Sequence, residues 1–428
     1  MIDRSDNLWW ASAGRRPAAP AATGELRCDV AVVGAGIMGT TTAQALAAAG
    51  LDVILIDAGA VGSGASSTPG GFVVPHFSVG SPDAIIERVG EIGERLVQAT
   101  GGSADHLFAK VRALGIDCDA RQGGWYQPAH SAAARARIED VAGQWHARGF
   151  AVEMLSAGET AERTGVEGYE GSWFAPSGGT IHPLLYCRGL ADAAVAGGAR
   201  LFERSPVLGI ERQPGGYALR LNAGRVIADK VILCTNGLSG DLVPPMTASI
   251  VTLDVWQCAT APVPAEQRRH LFQRGEALSD TREHLFTYRV DSEGRIITGA
   301  LDAFGISPAR QRASMARRLR TMLRLPHLPE ITHLWTGTSS VSASRYPATL
   351  LVDGGIISAT ACNARGIALS TVIGDSLARF VLDGTPPPMP LLDAGRARTA
   401  GIQRRLRRFY PLMGPILDWI DTRRTPAP

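Results

Sequence analysis

The residues best placed to do chemistry stand early in the chain. Gly34, Ala35, Gly36, Ile37, Met38 and Gly39 form a G-x-G-x-x-G, and Asp57 follows Gly36 by 21 positions. Gly34 allows a tight turn, Gly36 lets a pyrophosphate approach the backbone, and Gly39 lets a helix pack closely on a strand. The N–H groups and positive dipole end of a helix opening at Ile37 would receive phosphate charge. Asp57 stands where an acid hydrogen-bonds a ribose hydroxyl. A glycine-rich turn with a surface Asp is the plain alternative; the apolar strand before the motif and the helical pattern after it favour a dinucleotide site. The residues after Asp57 say which dinucleotide. Ala58 leads into a second Gly/Ser loop, Gly64, Ala65, Ser66, Ser67, Thr68, Pro69, Gly70 and Gly71, where an NAD domain usually continues into a helix. A second run of backbone N–H groups suits the far side of a longer cofactor, so FAD is expected.

Such a site needs a parallel α/β frame. Cys28–Val33 is a short apolar, β-branched run of the buried-strand type. Ile37–Ala49 reads as an Ala-rich helix stopped by Gly50, and Leu51–Ile56 as a second buried strand. Helical patterns follow over about 82–114 and 132–148, then a strand at Ala151–Leu155. A strand–helix–strand rhythm covers 180–205; residues 206–235 look antiparallel, with Lys230–Cys234 running back into the parallel sheet, and strands dominate again at 250–260 and 284–300, with Gly294 at a hairpin turn. A basic helix is predicted over 308–323, a last parallel strand at Gly355–Ala359 and a closing helix over 367–383. The expected class is α/β: a Rossmann-type FAD-binding domain interleaved with an α+β substrate domain on a mixed or antiparallel sheet. The expected boundaries are 26–88, 151–250 and 332–390 for the first, 89–150 and 251–331 for the second, and 391–428 as a basic and aromatic tail.

Composition excludes more than it proves. A chain of 428 residues exceeds one ordinary core, and 45% hydrophobic with 19% charged residues argues against disorder. A net charge of +3 gives no reason to invoke nucleic acid. The six cysteines show no C-x-x-C pair, so neither zinc nor a disulfide framework is expected. Asp3 and Asp6 occupy the place of a signal peptide's basic residues, and no window is apolar enough to span a bilayer, so cytoplasmic residence is expected.

Several further pieces, in order, resemble the FAD-dependent oxidoreductases of the D-amino-acid oxidase, glycine oxidase and sarcosine oxidase type, and most of all the branch containing γ-glutamylputrescine oxidoreductase. Ser5–Ala13 is similar to that branch's aromatic N-terminal segment, and Gly64–Gly71 to its G-A-S-G-R-N-G-G loop. Gly179–Pro183 with Phe202–Val207 resembles its central βαβ segment, and Cys234-Thr235-Asn236 its A-T-N turn. Tyr288-Arg289 with Gly294 and Gly299 resembles the hairpin beside the substrate, and Asn363-Ala364-Arg365-Gly366-Ile367 the N-G-R-G turn near the isoalloxazine. The resemblance implies oxidation of a C–N bond in an amine or amino-acid derivative, with O2 or another acceptor taking the electrons. It also implies cofactor contacts at Val207, Thr235, Asn236, Gly237 and Asn363–Ile367. Two departures stand out. Ser67-Thr68-Pro69 replaces the Arg of the family loop, and no Arg occupies the Trp335-Thr-Gly337 turn where glycine-oxidase-like members pair the substrate carboxylate. A flavin-linking His or Cys is likewise missing from both places, so non-covalent FAD is expected.

The catalytic candidates are Arg365, Tyr288, Arg289, Trp335 and His76. Arg365 sits between the last strand and its helix, at the carboxyl end of the sheet where ligands bind. Tyr288 and Arg289 alternate on a strand, so one should face the cavity. Trp335 offers an aromatic wall or a core residue, and His76 an acid–base group or a packed neighbour of aromatics. Arg404, Arg405, Arg407 and Arg408 before Phe409–Ile420 suit an anionic membrane surface or a partner subunit. Two prolines in that stretch favour a tail packed on the domain instead.

Overall fold

The computed structural model of the chain describes residues 6–282, 286–301, 307–342, 344–359, 363–393 and 401. The strands Gly24–Val33 and Val53–Ile56 pair in parallel, joined by the helix Ile37–Ala48. That crossover is the core of a nine-stranded sheet. Gly24–Val33 also pairs in parallel with Gly224–Leu233, which in turn pairs with Ile356–Ala359, while Val53–Ile56 pairs with Arg200–Phe202. Val53 to Ile56 are wholly buried, as expected for a parallel strand covered on both faces. Gly209–Gln213 and Gly216–Arg220 form an antiparallel flap on the edge of Gly224–Leu233.

Three helices close over one face. Thr42 Oγ1 in Ile37–Ala48 donates to the Gly374 carbonyl in Gly366–Asp383 at 3.0 Å, and a Cβ at Gly374 would stand 2.7 Å from the Met38 carbonyl oxygen. These two helices therefore touch backbone to backbone. The third, Pro183–Ala196, is capped by His182, whose Nδ1 accepts from the Leu185 N–H at 3.2 Å.

The second sheet has eight strands in the order Ile331–Ser342, Ile250–Thr260, Ile296–Leu301, Thr287–Val290, Ala277–Ser279, Trp125–Pro128, Ser172–Ala175 and Glu153–Leu155. All pairs are antiparallel except Ala277–Ser279 with Trp125–Pro128, so the sheet is mixed. The α/β class with a mixed second sheet is the expected architecture, but the segments divide differently. Glu153–Leu155, Ser172–Ala175 and nearly all of Ile331–Ser342 were assigned by sequence to the cofactor segments 151–250 and 332–390, yet pair in the second sheet. Leu391–Asp393, placed in the tail, pairs in parallel with Thr349–Asp353 in the first. The rest of the basic, aromatic tail, apart from residue 401, lies outside the described residues, as does Cys362. Among the described residues no helix is long and apolar enough to cross a membrane, and no His, Cys, Asp and Glu cluster could hold a metal.

Candidate active site

A single cavity of about 1780 Å³ runs from the glycine turn to the face of the second sheet. Pockets for drug-sized ligands measure about 300–1,000 Å³, so this larger space suits a dinucleotide together with a substrate. Gly34 has φ +103°, and a Cβ there would meet the Cys234 carbonyl oxygen at 3.0 Å. Gly39 packs against the Gly34 peptide so closely that a Cβ would lie inside contact distance of its carbonyl oxygen and 3.2 Å from the Cys234 Cβ. Asp57 braces the turn: Oδ2 accepts from the Ala35 N–H and Oδ1 from the Gly59 N–H, both at 2.7 Å. A ribose hydroxyl would donate to this same carboxylate. Ser66 Oγ accepts from the Ile37 N–H at 3.0 Å, which ties the second loop to the helix N-terminus.

The second loop is held by its carbonyls. Asn7 Nδ2 donates to the Ser67 carbonyl at 2.9 Å, Trp335 Nε1 to that of Thr68 at 2.9 Å and Trp9 Nε1 to that of Pro69 at 2.8 Å. Arg289 Nη1 donates to the carbonyls of Gly71 at 3.0 Å and Ile181 at 2.8 Å. Four side chains from three distant segments thus draw consecutive carbonyls to one side, behind the wall that Gly64, Ala65, Ser66, Thr68, Pro69 and Gly70 present to the cavity. This corrects three sequence expectations. Trp335 and Arg289 do not line the cavity; they clasp the back of the loop. Tyr288 lies on neither side of the site: its hydroxyl donates to the Thr164 carbonyl and its ring stacks on Phe272 at 4.6 Å in a separate apolar core.

Opposite this loop, Ala58, Val207, Thr235, Asn236 and Gly237 line the cavity with Gly34, Gly36, Ile37, Met38 and Asp57. Asn236 takes φ +47°, and its buried Oδ1 has no hydrogen-bond partner, a polar atom left for a ligand. Ala35, Gly39, Ser67 and Gly71 stand just behind the wall. The turn before Gly366–Asp383 places two consecutive non-glycine residues, Asn363 at φ +50° and Ala364 at φ +68°, in the left-handed region. Such residues cost roughly 1–3 kcal/mol each. Asn363 is held there as its Oδ1 accepts from the Ser342 N–H at 2.9 Å and its carbonyl from the Ser78 hydroxyl. The result turns Ala364, Arg365, Gly366 and Ile367 to the cavity, at the N-terminus of a helix whose cap makes no side-chain hydrogen bond. About half a unit of positive charge resides at such an end.

Arg365 lies with its guanidinium carbon 4.9 Å from the centre of the Trp125 ring. Among the described residues it has no ion pair; burial alone acts on it and pulls its pKa down to about 10, so it remains cationic at neutral pH. His76 also lines the cavity, boxed by Trp125, Trp145 and Trp173 with ring centres 5.3, 4.9 and 4.3 Å away. Neither of its buried ring nitrogens has a partner, and burial, with Arg365 nearby, holds its pKa well below the ordinary value. The roof over these groups is small and polar: Gln127, Ser279, Thr287 and Gly299 from the second sheet, with Gln257, whose buried Oε1 is unpartnered. Gln257 was missed from sequence, since a glutamine alternating in a strand gives no motif. Glu203 was missed too: its buried carboxylate accepts from the Val61 and Ala19 N–H groups, each at 2.9 Å, and so fixes the segment after Asp57. The described cysteines are all buried, and burial raises their thiols to about 12, which removes them as nucleophiles.

Two of the buried imidazoles, those of His76 and His182, make stability fall in acid. Burial, with Arg289 adding to it, lowers the His182 pKa to about 3; Nδ1 accepts from Leu185, so the proton sits on Nε2, facing Ser12 Oγ at 3.1 Å. In the unfolded chain His binds a proton near pH 6.5. Stability is therefore fully present above that pH and declines below it, by up to about 1.4 kcal/mol per pH unit for each imidazole. His182→Asn keeps a cap acceptor and should flatten the fall in urea midpoint between pH 6.5 and 4.5 by one proton's worth; an unchanged slope would mean the folded imidazole is already charged.

The sequence matches the family described as "DAO: FAD dependent oxidoreductase" over residues 29–380. It is 28% identical over 388 residues to a probable oxidoreductase, OrdL, of Rhizobium meliloti, covering 87% of this chain and 88% of that protein. It is 27% identical over 390 residues to the γ-glutamylputrescine oxidoreductase of Escherichia coli, covering 89% and 90%. Among solved structures, glycine oxidase from Geobacillus kaustophilus superposes with a TM-score of 0.70 at 22% identity, over 83% of this chain and 95% of that one, a likeness of fold.

Proposed function

This chain belongs to the FAD-dependent oxidoreductase family, and on that premise we propose that it oxidises the C–N bond of an amine or amino-acid derivative that carries an anionic group. The observation behind the reading is Arg365, a guanidinium on the cavity wall with no ion pair among the described residues. A partly buried cation without a counter-charge is costly to keep, and a substrate carboxylate supplies one. FAD, when bound, supplies the two-electron acceptor for the hydrogen on the carbon beside nitrogen. The chain's own groups do the rest. Arg365 fixes the anion and so the direction in which the amine points. The amine reacts in its neutral form, having given up its proton to solvent; His76, which burial and Arg365 hold neutral, and the tryptophans around it wall the amine off from water. The carbon–nitrogen single bond becomes an imine, which water hydrolyses to a carbonyl compound and the released amine.

The test is anaerobic bleaching of the flavin absorbance by a panel of amines, N-methyl amino acids, D-amino acids and cyclic imino acids. Bleaching by acidic members and not by their uncharged analogues is expected. No bleaching by any member would overturn the reading in favour of a flavoprotein of this fold without amine chemistry. The electron acceptor follows from the same protein in air: peroxide formed on turnover identifies an oxidase, and dye reduction without peroxide a dehydrogenase serving another acceptor. We also infer that FAD is held without a covalent link, because the loop Gly64–Gly71 contains no His or Cys and the turn at Trp335–Gly337 no Cys. Acid precipitation should leave the yellow colour in the supernatant; colour in the pellet would contradict this.

A further inference from the structure

Arg365 is one of three guanidiniums on the substrate side of the cavity. The wall continues across the second sheet to Arg282, in the turn after Ala277–Ser279, and to Arg137 on the helix Ala132–His146. That helix turns Ile138, Val141 and Trp145 to the cavity, at the three- and four-residue spacing of one face, and Arg137 flanks the first of them. Arg137 has no ion pair among the described residues.

Arg282 does have an acid beside it, but that acid is already engaged. Asp280 Oδ1 accepts from the backbone N–H groups of Arg282 at 3.2 Å and Phe286 at 2.9 Å, and Oδ2 accepts from the Tyr169 hydroxyl at 3.1 Å and from Arg282 Nη1. The guanidinium also lies 5.1 Å from the centre of the Tyr169 ring. Asp280 and Tyr169 thus hold Arg282 in one orientation by a single nitrogen, and a guanidinium has five N–H donors in a planar fork. Among the described residues the cavity wall carries two other acids: Asp57, which braces the glycine turn, and Asp241, exposed beside the turn Asn236–Leu238. Among the described residues that line the cavity there are thus three guanidiniums, of which Arg282 alone has an acid beside it. A substrate with a single anion at Arg365 would leave unused the remaining N–H donors of Arg282 and the guanidinium of Arg137, which is exposed on its helix.

We propose that the substrate carries a second anionic group, distal to the reacting amine, and that Arg282 and Arg137 bind it while Arg365 binds the first. The substrate class is then an amine bridging two carboxylates, or a carboxylate and another anion, and not a simple monocarboxylic amino acid. This rests on the oxidation reading for the position of the amine between the two anchors. Arg282 and Arg137 act as specificity-determining groups, with Asp280 as the positioning residue of the first.

Binding of redox-inert acids tests the proposal without turnover. The FAD-loaded protein is titrated with butyrate and with succinate, glutarate and adipate, and Kd is read from the change in flavin absorbance. One dicarboxylate should bind at least about tenfold more tightly than butyrate, equivalent to about 1.4 kcal/mol. R137Q and R282Q should each bring the dicarboxylate-to-monocarboxylate affinity ratio down toward one. R137Q alters an exposed helix position, so a folding defect of R282Q does not decide the matter. Equal affinity for mono- and dicarboxylates in the unmutated protein, or a ratio unchanged in R137Q and in a folded R282Q, overturns the proposal. These ligands cannot be oxidised, so the result stands apart from whether any amine bleaches the flavin.

Discussion

Replacing Gly39 with alanine should leave a protein that no longer holds FAD. The added Cβ would lie 3.1 Å from the Gly34 carbonyl carbon, inside contact distance of its oxygen, and 3.2 Å from the Cys234 Cβ. Backbone lies on one side and a buried strand end on the other, so no side chain can rotate away. Either the helix Ile37–Ala48 lifts off the strand Gly24–Val33 or the turn opens, and each disturbs the amides that face the pyrophosphate. Overpacking of this kind costs about 1–3 kcal/mol and sometimes more, against total stabilities of about 5–15 kcal/mol. The chain should fold with a lowered melting temperature while its flavin-to-protein ratio drops by at least about tenfold, the loss that 1.4 kcal/mol brings under subsaturating cofactor. Gly36→Ala is the contrast. Its Cβ meets only Ser66 Oγ, at 2.7 Å, the end of a side chain that can turn. That variant should keep its melting temperature and lose cofactor affinity in part. A Gly39→Ala protein with a full complement of FAD would remove the turn from the cofactor site.

The contrast between those two glycines shows what a sequence can carry. Gly34, Gly36, Gly39 and Asp57 are legible because their roles are local: a turn, an approach and a helix seat, fixed by spacing within one βαβ unit. The clasp behind the second loop is not local. Asn7, Trp9, Arg289 and Trp335 reach the same five-residue stretch from segments that lie about 60 to 270 positions away. No periodicity links them. The expectation that Tyr288 or Arg289 would face the cavity assumed a sheet with one site-bearing face and one plain face. Both faces of that strand are buried, one against the aromatic core of Phe272 and Phe286 and the other against the loop carbonyls. Alternation along the strand was therefore read correctly and its two directions were not. The strands Ser172–Ala175 and Ile331–Ser342 joined the second sheet for a similar reason: pairing partners are chosen by tertiary packing, which a short apolar run does not encode. Arg365 was legible through its turn, whereas Arg137 and Arg282 drew no notice, since an arginine on a helix or in a turn is ordinary until the wall it shares is known.

Arg365→Met should separate a functional arginine from a structural one by moving activity and stability in opposite directions. A structural guanidinium, like that of Arg289 with its carbonyl partners, stabilises the fold it sits in, and losing it strands the buried groups that it satisfied. Arg365 has no such partners among the described residues beyond the face of Trp125 at 4.9 Å. In the free enzyme it is a partly desolvated charge, and an unbranched apolar side chain of similar length removes that penalty. The melting temperature of Arg365→Met should accordingly hold or rise. Its kcat/KM for an acidic amine should fall, because a hydrogen-bonded charge contact contributes about 1.5–3 kcal/mol, or roughly 10- to 150-fold. The loss should fall on KM if the anion is held equally in ground and transition states, and on kcat as well if the anchor also aligns the reacting carbon. Arg365→Lys keeps the charge without the planar fork and should recover part of the loss. Uncharged amines give the control: their kcat/KM should change little, since they never offered Arg365 a counter-charge. A fall in melting temperature together with equal losses for charged and uncharged amines would show that Arg365 supports the turn Asn363–Gly366 and leaves substrate recognition to other residues.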